Sequence, residues 1–167
     1  MEKSLAFSNN TSHVENDETK GKYLTVWIDR QLYGMPISNV VSIVGVQKIV
    51  PVPEFPYYAK GVMNLRGSVI PIIDMRLRLN LPEIEYGART CIIIATVRGQ
   101  DVGFIVEGVN EVTSVGENNM MQAPSVGQPT GAYIEGVFQL DGELILNVSV
   151  EKLLSDGDLS TLSSAGM

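Results

Sequence analysis

Gly61-Val62-Met63-Asn64-Leu65-Arg66-Gly67-Ser68-Val69-Ile70-Pro71-Ile72-Ile73-Asp74-Met75-Arg76 decides how the rest of the chain is read. Residues 61–65 are a short apolar strand, and Arg66-Gly67 is a turn. Residues 68–73 are β-branched and apolar, the composition of a well-buried strand. Pro71 lies inside that run and has no N–H to give to a ladder, so this strand is expected at a sheet edge or bulged at that point. Asp74 closes it, and residues 75–79 have room for one helical turn. Asn64 and Arg66 are thereby placed at a turn between two buried strands. Such a turn is rigid and presents an arginine outward, which suits recognition better than chemistry.

Outward from this pair, strands and tight turns recur. Residues 22–28 are rich in strand formers, 29–31 read as a hairpin turn, and 32–37 return as a strand in which Gly34 and Pro36 suggest a bulge or an edge. Val40, Val41, Ile43, Val44 and Val46 follow with no clear period, leaving helix and strand open. Pro51, Pro53 and Pro56 forbid a helix over 49–60 and give an extended connector, or a docking loop anchored by Tyr57 and Tyr58. Residues 83–89 are a polar loop. Residues 90–97 are the most apolar strand, Arg98-Gly99 turns it, and 100–107 run back. Gly103 and Gly108 mark bulges there or the approach of another backbone. A strand over 109–115 and a Gly/Pro-rich loop over 123–131 precede two strands, 133–140 and 143–150. Asp141-Gly142 joins these two and is the strongest hairpin signal, because both central residues need positive φ. Residues 150–154 read as a short helix.

Residues 1–21 are polar and are expected to form a disordered tail. Residues 156–167 are small and polar and are expected to form a flexible C-terminal tail, leaving 22–155 as the folded part. Roughly nine or ten short strands with almost no helix give an all-β barrel or sandwich, or two small barrels. Without strand–helix alternation a dinucleotide-binding sheet is excluded.

Apolar residues make up 44% of the 167, enough for a real core. Twelve Lys and Arg against 19 Asp and Glu give a net charge of −7, which argues against nucleic acid or an anionic membrane as partner. No apolar run approaches the roughly 20 residues of a membrane span, and the N-terminus lacks the apolar core of a signal peptide. Cys91 is the one cysteine, so no disulfide forms within the chain, which suits a reducing cytosol.

Chemistry finds few candidates. The one histidine, His13, lies in the polar tail, and Cys91 in an apolar strand reads as a small buried hydrophobe. No Cys or His pair has metal-ligand spacing, and no Gly-rich loop is built for phosphate. Asp74, Glu107, Glu111, Asp141 and Glu143 sit at turns or strand ends, where a solvated carboxylate is expected. No enzymatic activity, metal or cofactor is expected. A barrel binding a small ligand or sugar is the rival reading, but the one Trp, Trp27, sits in an apolar strand.

Residues 61–76 resemble the signature of CheW-type domains, the chemotaxis coupling (adaptor) family. Tyr33-Gly34, residues 102–109, and Leu144-Ile145-Leu146-Asn147-Val148 with Glu151-Lys152-Leu153-Leu154 extend the resemblance over about 22–154. It implies two small five-stranded SH3-like β-barrels packed together. It implies a stand-alone, monomeric, non-enzymatic cytoplasmic scaffold, recruited to membrane-associated receptor arrays. Such a scaffold couples the cytoplasmic tips of chemoreceptors (methyl-accepting chemotaxis proteins) to the histidine kinase CheA. The receptor's helical hairpin would dock between the barrels, and the kinase's regulatory domain would meet the scaffold barrel to barrel. Carried over residue by residue, it implies receptor contacts at Val40, Gly61, Arg66, Gly103 and Val112, and kinase contacts at Ile49, Lys60 and Val69. At the two glycines, a missing side chain would let a helix come close. Arg66 has an alternative use as a salt bridge within the domain, to Asp74 or Glu107. Ser42 stands where the family commonly has an acid, and Met35-Pro36 replaces a more usual polar pair. These departures point to another receptor class or to a non-flagellar chemosensory pathway as the alternative setting.

Overall fold

The computed structural model describes residues 21–122 and 133–165. The expected N-terminal tail, all but Gly21, and the loop expected over 123–131 fall outside them. The described residues form eleven strands: β1 (Lys22–Ile28), β2 (Gln31–Pro36), β3 (Val40–Gly45), β4 (Ala59–Leu65), β5 (Ser68–Asp74), β6 (Cys91–Val97), β7 (Gln100–Val106), β8 (Gly108–Ser114), β9 (Met120–Gln122), β10 (Ile134–Leu140) and β11 (Glu143–Val148). They build two sheets, ordered β8-β1-β2-β11-β10-β9 and β3-β6-β7-β5-β4. The second sheet is continuous in sequence and is inserted between the two halves of the first. The expected pair of small SH3-like units is thus present. The first sheet has six strands rather than five because short β9 is added.

Four hairpins turn on Asp29-Arg30, Arg66-Gly67, Arg98-Gly99 and Asp141-Gly142, with both φ values positive in each. That is the type I′ geometry that matches strand twist.

Pro71 is on neither an edge strand nor a bulged one. β5 lies between β4 and β7. Val62, opposite Pro71, sends its N–H and C=O to Val50 on its other side, at 2.9 and 2.8 Å. The Val62–Pro71 pair therefore exchanges no hydrogen bonds. On the far side of β5, parallel pairing with β7 begins only at Ile72. The ladder asks nothing of Pro71, and the bulge falls at Lys60 on β4 instead. β2 is likewise internal and unbroken against β1. Gly34 is needed there because a Cβ would lie 3.2 Å from the Phe138 ring.

Residues 40–46, ambiguous in sequence, begin with β3. A register shift between Val40 and Ser42 against β6 is what destroys the period.

The sheets are apolar on both faces because three cores exist. Ile70, Ile72, Ile92, Ile94, Ile105 and Met63 fill the interior of the second sheet. Leu32, Phe138 and Ile145 fill that of the first. The largest core lies between the sheets and includes Leu24, Val26, Ile28, Ile73, Ile93 and Phe104. Alternation divides the run Ile92-Ile93-Ile94 between two of these cores.

The C-terminal end corrects the sequence reading. Asp156–Ala165 is a helix, α2, not a flexible tail; α1 is the single turn Met75–Arg78 after β5. Ser155 Oγ accepts from the Asp158 N–H at 3.0 Å, an N-cap on the Ser-x-x-Asp pattern. Leu159 and Leu162, three residues apart, enter the core between the sheets. The short helix expected over 150–154 is a 3₁₀ turn, Val150–Lys152, capped by Ser149.

Candidate functional site

β3 and β8 are edge strands of different sheets. Residues directly opposite in an antiparallel pair share a face. Ile43 stands opposite Ile93, and Val109 and Val112 stand opposite Val26 and Leu24; all three partners belong to the core between the sheets. Ile43, Val109 and Val112 are nevertheless exposed, Val112 by 53% and Ile43 by 45%. Each edge strand thus carries apolar side chains out of the shared core to its margin, the kind of surface on which a partner buries area. Val40, at the start of β3, is buried beneath this margin.

Val109 and Ile43 were missed in sequence. The available signal was the spacing of three between Val109 and Val112, too long for one strand face unless a bulge intervenes. Ser42, opposite Ile94, points toward the interior of the second sheet rather than to this margin.

Arg66 occupies the tip of the β4–β5 hairpin at φ 55°, a left-handed conformation that costs a non-glycine residue about 1–2 kcal/mol. Asn64 Oδ1 closes the turn by accepting from the Gly67 N–H at 3.0 Å. Arg66 is exposed and has no hydrogen bond or ion pair among the described residues. The internal salt bridge considered for it belongs to Arg76. That guanidinium donates to Glu107 at 2.9 Å and to the Pro82 carbonyl at 2.7 Å, and lies 3.4 Å from Asp29. The Glu107 contact raises its already high pKa further. Arg76 follows β5 in the second sheet and Asp29 is in the β1–β2 turn of the first, so this cluster ties the two sheets together. Asp74 is occupied as the cap of α1 and as acceptor for the Tyr86 hydroxyl at 2.9 Å.

Ile49, Lys60 and Val69 gather around edge strand β4. Lys60 is the bulged residue of β4 and pairs with Glu83. Val69 is exposed on β5 opposite Asn64, and half-buried Ile49 packs on the interior of the second sheet next to Val50, which bridges to Val62.

Gly61 and Gly103 are buried, and what crowds them belongs to this chain. A Cβ on Gly61 would lie 2.0 Å from the Val50 carbonyl oxygen; on Gly103 it would lie 2.6 Å from Ile72 Cδ1 and 2.8 Å from Ile92 Cγ2. Packing alone therefore accounts for both glycines.

Chemistry remains sparse. Cys91 is half-buried, and burial pushes its thiol pKa up, away from the reactive thiolate. Among the described residues no group of His, Cys, Asp and Glu could hold a metal. A pocket beside Arg76, Tyr86 and Glu107 offers about 10 Å³, room for about one water.

A family model described as the CheW-like domain matches residues 22–158. The chain belongs to the CheW-like family. Among curated relatives, the chemotaxis protein CheW of Bacillus subtilis is 36% identical over 138 residues, covering 82% of this chain and 88% of that protein. The chemotaxis protein CheW of Klebsiella aerogenes is 30% identical over 149 residues, covering 88% and 90%. The crystal structure of the scaffolding protein TtCheW from Thermoanaerobacter tengcongensis superposes with a TM-score of 0.77 at 30% identity, covering 83% of this chain and 94% of that one. The CheW-like assignment covers both sheets and runs into the start of α2.

Proposed function

We propose that this protein is a non-enzymatic coupling scaffold of a chemotaxis pathway, joining chemoreceptor tips to the kinase CheA. The observation that carries this reading is the pair of edge strands exposing apolar side chains at the margin of one shared core. An incoming helical hairpin can lay its apolar face against Val109, Val112 and Ile43, as in helix-in-groove recognition. Arg66, strained and unspent, supplies a bidentate donor to a carboxylate or carbonyl of that partner. Val40, Gly61 and Gly103 act through the surface that they shape. The Ile49, Lys60 and Val69 cluster around β4 receives the kinase's regulatory domain. A scaffold holding both partners needs only weak single contacts, on the order of micromolar, because one bound partner raises the effective concentration of the other. The protein would work in the cytoplasm at membrane-associated receptor arrays.

An amide NMR titration tests this. A receptor-tip fragment is expected to shift Ile43, Val109, Val112 and Arg66, and the kinase's regulatory domain to shift Ile49, Lys60 and Val69. Spectra unmoved by either titrant at high micromolar concentration would end the reading.

A further inference from the structure

The pairing of β1 with β8 contains one irregularity, and it falls beneath the docking margin. Leu24, Thr25, Val26 and Trp27 oppose Val112, Glu111, Val109 and Gly108, so the register slips between Thr25 and Val26 and Asn110 is the extra residue. Strand alternation puts residues i and i+2 on one face. Val109 and Val112, three apart, share a face only because Asn110 is bulged out between them.

One side chain holds this bulge. The Thr25 hydroxyl, 1% exposed, donates to the Glu111 carbonyl at 2.8 Å. It accepts from the Glu111 N–H at 3.2 Å and from Asn110 Nδ2 at 3.1 Å. A hydroxyl has one proton to donate and two lone pairs to accept with, and here all three are used on the bulge. Alternation puts Thr25 on the face of β1 opposite to Leu24, Val26 and Ile28, with Tyr23 and Trp27, which pack against the interior of the first sheet.

We infer that Thr25 is a positioning residue for partner docking, with its hydroxyl pinning the Asn110 bulge that turns Val112 toward the docking margin. This rests on the docking role proposed for β8. Were the bulge lost with Val26–Val109 kept in register, Glu111 would come opposite Leu24 and Val112 opposite Tyr23. The slip would place a carboxylate where an apolar contact belongs and send Val112 to the other side of the sheet.

The test compares the full chain with Thr25→Val, which keeps the shape and removes the hydroxyl, and Thr25→Ser, which keeps the hydroxyl. Cross-strand NOEs report register, and titration with the receptor-tip fragment reports docking. In Thr25→Val the Leu24–Val112 NOEs are expected to be replaced by Leu24–Glu111 NOEs. Receptor-tip affinity is expected to fall about tenfold, the scale of a lost hot-spot contact. Affinity for the kinase's regulatory domain should stay unchanged, and Thr25→Ser should restore the wild-type register and affinity. Thr25→Val that melts earlier yet keeps the Leu24–Val112 NOEs and full affinity overturns the inference, leaving the hydroxyl a merely stabilising group. Full affinity despite a slipped register overturns it as well. If the unaltered chain fails to bind the fragment, the docking reading falls and takes the functional half of this inference with it; the NOEs still decide the register half.

Discussion

The β4–β5 and β6–β7 hairpins of the second sheet are built alike and used differently. Each turns on an Arg-Gly pair with both residues at positive φ, and each carries one buried glycine in a strand. Arg98 is committed to the fold. Its guanidinium donates to the Glu151 and Leu154 carbonyls and pairs with Asp156 at 3.1 Å, holding the chain end against the sheet. Arg66 bears comparable strain and holds nothing among the described residues. Where two side chains carry the same conformational cost and only one repays it within the domain, the other is the better candidate for a contact outside it. The glycines differ in the opposite sense. Gly103 is crowded by isoleucine side-chain methyls, the Cδ1 end of Ile72 and the Cγ2 branch of Ile92, whereas Gly61 is crowded by the backbone of Val50, which cannot yield as easily.

Substitutions separate these roles. Gly61→Ala carries the largest expected effect, combining φ of 140° with overlap on a carbonyl, about 3–5 kcal/mol of stability by urea denaturation. A loss below that seen for Gly103→Ala would mean that the chain at Val50 moves aside freely. Gly103→Ala is expected to cost about 1–3 kcal/mol by overpacking alone, with Ile72 and Ile92 changing rotamer. Arg98→Ala is expected to cost about 1–2 kcal/mol and to speed amide exchange at Leu159 and Leu162; exchange unchanged there would show that α2 is held without this turn. Arg66→Ala keeps the same backbone strain and removes no hydrogen bond or ion pair to a described residue, so stability should stay within about 0.5 kcal/mol. Receptor-tip affinity should nevertheless fall about tenfold. Loss of stability without loss of affinity in Arg66→Ala would abolish the contrast between the two turns.

The hairpins were legible in sequence because their signals are local. Asp141-Gly142 and Arg66-Gly67 require nothing but their own φ values to be recognised. Pro71 was misjudged because its tolerance depends on Val50, a residue from the preceding loop that takes up the hydrogen bonds of Val62. The run from Val40 to Val46 was unreadable because a slip at Val41 breaks the alternation on which strand recognition depends. α2 was overlooked for the opposite reason. Its composition is poor in helix formers, but the Ser155 cap and the Leu159–Leu162 spacing were both present and local. The candidate site was legible only as single positions. That Val112 and Ile43 edge the same core follows from pairing registers, which no stretch of sequence displays alone.

The insertion of one sheet inside the other sets an order of events as the chain is made. β3 to β7 can close their ladder while the residues of β8 to β11 are still unmade, since every pairing in that sheet is internal to it. β1 and β2 emerge first yet wait longest; Gln31 bonds to the Leu144 carbonyl 113 residues onward. Residues 150–162, made after every strand, bring Leu153, Leu154, Leu159 and Leu162, which seal the layer between the sheets. A chain released early would present a completed second unit beside an unclosed first one, with apolar strands exposed to aggregation. The apolar margin carried by β3 and β8 thus takes its final form only once both sheets have closed on their shared core.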